Sequence, residues 1–161
     1  MKILQVILIL LLGGCSSMES KYQHDMDRVR ITHIDYLHTL IQEYLIKSGR
    51  LPLQENIKEN DIQVYITHSE LPGWLIEQSK KLPIESYPSK KLELDIERVL
   101  ARDINMPSDP QNIETYAPNV YIYMVTSEWA CVAAHLYSPT PKTRNVQDRY
   151  YKYELCTKHK A

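Results

Sequence analysis

The sequence predicts an α+β fold: a long N-terminal helix packed on a small antiparallel β-meander. Two patterns in the 161 residues carry that prediction. Between positions 22 and 48 apolar side chains recur at helical spacing. From Val120 to Cys156 three stretches rich in β-branched and aromatic residues follow one another. Composition supplies the frame. With 43% hydrophobic and 24% charged residues the chain has the balance of a globular domain, which sets aside wholesale disorder and a polytopic membrane protein. Its 19 Lys+Arg against 20 Asp+Glu leave no basic excess to neutralise phosphates, so no nucleic-acid partner is expected.

The first fifteen residues are read separately from the fold. Lys2 supplies a positive start, Ile3 to Leu12 an apolar run, and Gly13-Gly14 two small residues before Cys15. As a helix the run spans about 15 Å, half of a ~30 Å hydrocarbon core, so it suits a signal peptide rather than a membrane anchor. Leu12-Gly13-Gly14-Cys15 resembles the lipobox of bacterial lipoproteins; the other reading is an ordinary cleavable signal with an incidental cysteine. The resemblance implies a signal peptide over 1–14, lipid on Cys15, a tether over 15–21 and one domain over 22–161. Lipidation would hold the protein on a membrane, facing the periplasm, with Ser16 resembling an outer-membrane address in a two-membrane bacterium.

In the 22–48 helix, Met26, Val29, His33, Ile34, Leu37, Leu40, Ile41, Tyr44 and Leu45 form the apolar stripe. Asp27, Arg28, Asp35, Thr39, Gln42 and Glu43 are read as the solvent face. Ser48-Gly49 reads as a left-handed cap, and Pro52 prevents resumption. Residues 61–67 suit a short strand or a helix end, 71–73 a turn, and 74–80 a short helix. Pro83 and Pro88 read as breaks. Ser89 reads as the N-cap of a helix to Ala101 that buries Leu92, Ile96, Val99 and Leu100. Strands are expected over 120–126, 129–137 and 149–156, the second and third separated by a polar loop holding Pro139 and Pro141. Seven of the twelve tyrosines lie between Tyr116 and Tyr153, so the aromatic weight sits in this sheet.

The order of these elements carries a resemblance. Tyr44, Gly49 and Arg50-Leu51-Pro52 resemble the passage that ends the long helix of type IV pilins and type II secretion pseudopilins. Met106-Pro107-Ser108-Asp109-Pro110 resembles the loop before their sheet. Tyr121-Ile122-Tyr123, then Cys131 to Tyr137 with Leu136 and Pro139, resemble the strands that follow. The resemblance spans residues 28 to 156 and implies a pilin-like α+β domain in an envelope assembly. There are departures. Cys15 replaces the prepilin cleavage site, the helix starts polar, and the tail lacks the Asp- and Gly-rich loop through which major pseudopilins bind calcium, so no calcium site is expected.

Among chemistry-bearing residues, Cys131 and Cys156 read as a structural disulfide in an oxidising compartment, the alternative being two free thiols. His33 and His38, five positions apart, fall about 140° apart on a helix and are not a metal pair. No Gly-flanked serine, HExxH or phosphate loop is present, and no enzyme, metal or cofactor is expected. Lys142, Arg144, Arg149, Tyr151, Lys152 and Tyr153 form a basic, tyrosine-rich stretch. It reads as a binding face or as an edge strand guarded by lysines. The expected role is therefore a non-catalytic, membrane-anchored, pseudopilin-like lipoprotein with a protein partner in the cell envelope. The alternative is a stand-alone ligand-binding or inhibitor lipoprotein using that basic face.

Overall fold

The computed structural model describes residues 2–66, 77, 84–111, 120–147 and 150–159, with side chains from Lys21 onward. Among them are helices α1 (Lys2–Ser48) and α2 (Ser89–Leu100), a short 3-10 turn (Gln54–Asn56) and six strands: β1 (Asp61–Ile66), β2 (Ile84–Pro88), β3 (Tyr121–Val125), β4 (Trp129–Leu136), β5 (Thr143–Gln147) and β6 (Tyr150–Lys158). The fold is α+β. Among the described residues no helix is long and apolar enough to cross a membrane.

The expected meander is corrected to a mixed sheet of order β2-β1-β3-β4-β6-β5. β1 pairs β2 in parallel, while every other neighbour is antiparallel. β6 inserts between β4 and β5, so the chain passes out to the edge and returns. Both added strands fall where sequence suggested interruption. β2 ends at Pro88, which is tolerated because β2 is an edge strand, and β5 is the polar TRNVQ stretch on the opposite edge.

Alternation along the strands sorts the two faces. Ile62, Val64 and Ile66 of β1, Tyr121, Tyr123 and Val125 of β3, and Ala130, Val132, Ala134 and Leu136 of β4 are all buried on the face that meets α1. From α1 come Ile34, Leu37, Leu40, Ile41 and Tyr44 at helical spacing. The helix ends as expected at Gly49, whose φ of 74° is left-handed and whose N–H donates to the Leu45 carbonyl at 2.8 Å.

In α2, Leu92 and Ile96 are buried, with Val99 and Leu100 at the core margin. The cap differs from expectation. Pro88, extended at φ −69°, is the N-cap and gives no side-chain bond, while Ser89 is the first helical residue. At the other end Ala101 takes a left-handed φ of 55° and donates to the Glu97 carbonyl. The turn expected over 71–73 and the helix over 74–80 lie outside the described residues, apart from helical Glu77.

Candidate functional site

Among the described residues the most highly charged buried cluster is built on Arg30 of α1, which is 0% exposed. Its guanidinium grips Asp109 with two bonds, Nε to Oδ2 at 2.7 Å and Nη2 to Oδ1 at 3.1 Å. Nη1 donates to Asp27 Oδ1 at 3.1 Å, and Nη2 also donates to Gln111 Oε1 at 2.7 Å. Arg30 lies 5.2 Å from the centre of the Tyr137 ring, adding a cation–π contact. Asp27 turns its remaining capacity to the chain just past β4, accepting the amides of Tyr137 at 3.0 Å and Ser138 at 2.8 Å. Asp109 Oδ1 accepts the Gln111 amide at 3.0 Å.

Burial by itself would lower the Arg30 pKa, but Asp109 and then Asp27 outweigh it and hold the guanidinium above its ordinary value. Both carboxylates are tied up as acceptors. What the arrangement does is hold: it joins α1, the 103–111 loop and the end of β4 at one point. Asp27, expected on the solvent face of the helix, is instead buried. Arg30 is absent from the residues expected on the stripe, although it precedes Ile34, Leu37 and Ile41 on its buried side. A cation at a core position of an amphipathic helix is the signal that could have found it.

One helical turn along, His33 sits half-buried at the margin of the stripe. Its Nδ1 shares a hydrogen bond of 2.8 Å with the Tyr121 hydroxyl, and the rings meet edge-on with centroids 5.7 Å apart. Burial pushes the imidazole pKa below its ordinary value, opposed by Asp109 and a backbone bond at Ser108. The same burial, reinforced by Asp109, pushes the Tyr121 phenol up. His33 lines two open grooves. One, of about 380 Å³, is lined by Asp25, Arg28 and Thr32. The other, of about 460 Å³, is lined by Ser89, Lys90, Glu93 and Asn105. Among the described residues no three His, Cys, Asp or Glu side chains are grouped to hold a metal ion.

Cys131 and Cys156 face one another across β4 and β6 as a disulfide, with Cα atoms 4.1 Å apart. The six residues of the basic stretch are divided between surfaces. Tyr151 and Tyr153 turn toward α1: Tyr153 is buried and its hydroxyl donates to Asp35 at 2.7 Å, while Tyr151 packs on the core margin. Lys152 points to the opposite face, where it and exposed Arg144 both pair with Glu154. Lys142 is exposed in the turn before β5, and Arg149 lies outside the described residues, as do the side chains around Cys15.

No family model, curated protein or solved structure matches the chain.

Proposed function

We propose that the chain is a non-catalytic lipoprotein, anchored through Cys15 on the periplasmic side of a membrane, whose pseudopilin-like domain contacts an envelope assembly such as a secretion or pilus machine. The observation that supports this reading best is the Arg30 clamp. It draws together passages that individually resemble pilin segments: the Ser108-Asp109-Pro110 loop and the strand end after Leu136, both fastened to α1 beyond the lipobox. Two weak likenesses, separated in sequence, meet at one point of α1. Along α1 the first buried residue described is Asp27, twelve positions after Cys15, so a helical tether holds the domain about 18 Å from the lipid. Residues 21 to 26 carry no fully buried side chain, as suits a stalk.

The test has two arms. Metabolic labelling with palmitate should mark the wild-type protein and not Cys15→Ser, which should leave the membrane fraction. Mild in-cell crosslinking of the lipidated protein should capture a secretion or pilus component. Labelled protein that captures nothing from the envelope sinks the assembly role while leaving the anchor intact.

A further inference from the structure

Cys131 and Cys156 stand opposite one another on β4 and β6, on the sheet face turned away from α1, but the two sulfurs have different surroundings. Cys131 is 5% exposed and lies inside the sheet, with β6 on one side and Met124 of β3 directly opposite on the other. Cys156 is exposed. β5 begins at Thr143, opposite Tyr153, and by the same register Lys142 before it reaches Glu154. Two positions further on, Cys156 has β4 as its one strand neighbour among the described residues. A thiolate attacks a disulfide sulfur from the side opposite the bond that breaks, and access decides which sulfur it reaches. At Cys131 that side lies over β3, where Met124 stands; at Cys156 it lies past the outer edge of β6. Charge favours the same approach. Lys158, two residues on and on the same face, is exposed and has no ion pair among the described residues. Glu154, two residues back, is already met by Arg144 and Lys152. The surroundings of Cys156 are therefore basic, and an anionic thiolate is drawn to them.

We propose that the Cys131–Cys156 bond is a thiol–disulfide exchange site, opened at Cys156 by a dithiol protein, with Cys131 as the leaving thiol. The partner's first thiolate bonds to Cys156 Sγ. The Cys131–Cys156 bond breaks, and its electron pair leaves on Cys131, which takes a proton from water. The partner's second thiolate then attacks the partner's own bridged sulfur and releases Cys156 as a thiolate. The partner ends oxidised to its disulfide, and Cys131 and Cys156 end reduced to two thiols. Cys131 is held opposite Cys156 by the β4–β6 ladder, so it is placed to attack the mixed disulfide and reverse the first step. A monothiol is expelled in this way, and only a reductant that brings its own second thiol carries the reaction forward. The apolar core lies on the other face of the sheet and contains neither cysteine, so the fold accommodates both redox states.

The experiment uses the oxidised full-length chain in mild detergent. Dithiothreitol should reduce it at one rate across all urea concentrations at which circular dichroism stays native, because the attack is on the folded chain. A rate that climbs with urea would mean that the bond opens only through unfolding, and overturns the proposal. Glutathione, quenched with a maleimide and mapped by mass spectrometry, should be found on Cys156 with the maleimide on Cys131. Glutathione on Cys131, or on both alike as in the unfolded chain, overturns it. A thioredoxin whose second active-site cysteine is replaced by serine should become linked to Cys156; reaction with dithiothreitol but no such link overturns the assignment of a protein reductant. Lys158→Glu should slow the dithiothreitol reaction by about threefold at low salt, with the difference closing as salt rises. An equal rate in the variant removes Lys158 from the site. Two free thiols in the wild-type chain as isolated under oxidising conditions overturn the proposal outright.

Discussion

Arg30 and Asp109 lie 79 positions apart and meet as a two-bonded ion pair, at 2.7 and 3.1 Å, with neither side chain in contact with solvent to any useful extent. A pair of this kind is a poor source of net stability, because desolvation offsets most of the attraction. Its effect is to specify: α1 can dock on the sheet in only one place if both charges are to be met. Asp27 then carries the same constraint to the end of β4.

Arg30→Met should therefore destabilise the fold by about 3–5 kcal/mol, because it strands two buried carboxylates. Asp27→Asn and Asp109→Asn, added to Arg30→Met, remove those charges and should recover a large part of the loss. Urea unfolding monitored by circular dichroism measures both. Equal stability of the single and triple variants would show that lost packing around the guanidinium, and not orphaned charge, sets the cost.

A second constraint closes the other end of α1. Asp95 of α2 accepts the Tyr44 hydroxyl at 3.0 Å and the Leu53 amide at 2.8 Å, both on Oδ2, and also pairs with Arg98. Leu53 is buried and holds a left-handed φ of 59°, a conformation that a leucine adopts only when its surroundings enforce it. Burial and then Asp95 push the Tyr44 phenol up to about 12, so its proton stays on as a donor. Asp95→Ala removes the acceptor from both groups and should cost about 1–3 kcal/mol; Tyr44→Phe, which empties one of the two bonds, should cost about 1 kcal/mol. If Tyr44→Phe proved the more damaging in denaturant titrations, the Leu53 amide would not depend on Asp95.

The two helices and strands β3, β4 and β6 were legible because their information is local: a 3.6-residue period in 22–48 and 89–100, and β-branched or aromatic runs in the strands. β2 and β5 were not, since IESYP and TRNVQ have no apolar alternation and gain their hydrogen bonds from neighbours elsewhere in the chain. Sheet order is likewise non-local, and nothing in 143–147 says that β6 will slip in between β4 and β5. The clamp was half visible. Asp109 lies in a loop that the pilin resemblance picks out, but its partner is a lone arginine in an otherwise apolar stripe. Only the tertiary fold shows that Asp27 turns inward to the Tyr137 and Ser138 amides. The arrangement of the basic stretch was hidden for a simpler reason. Strand alternation sends Tyr151 and Tyr153 to one side and Lys152 to the other, so closeness in sequence is not closeness on a surface.

Acidification should erode stability through two histidines. His135 on β4 has its pKa lowered by burial and by Lys152, its cross-strand neighbour, and His33 has its own lowered by burial. A histidine held neutral in the folded state binds fewer protons than in the unfolded chain. Its contribution is complete above the unfolded pKa of about 6.5, and is lost as pH falls from there toward the depressed folded value. Unfolding free energy measured from pH 7.5 down to 5 should decline below about 6.5. His135→Gln should flatten part of that decline. An identical slope in wild type and variant would assign the acid sensitivity to other groups.

The disulfide should prove to be a reinforcement of the sheet and not a condition for forming it. Cys131 and Cys156 sit on the face away from α1, while their neighbours Ala130 and Thr157 face the core and Thr157 shares a 3.0 Å hydrogen bond with His38. Reduction leaves that packing in place, along with the β4–β6 ladder, which runs from Trp129 opposite Lys158 to Leu136 opposite Tyr151. The bond closes a loop with a sequence separation of 25, so opening it should cost on the order of 3 kcal/mol by releasing the unfolded chain. A Cys131→Ala, Cys156→Ala double variant should show native circular dichroism at neutral pH with its urea midpoint moved down by that amount. Collapse of the native spectrum would show that the link helps to build the sheet. An unchanged midpoint under reducing and oxidising conditions, with both thiols titratable in the wild type, would show that the bond is not formed at all.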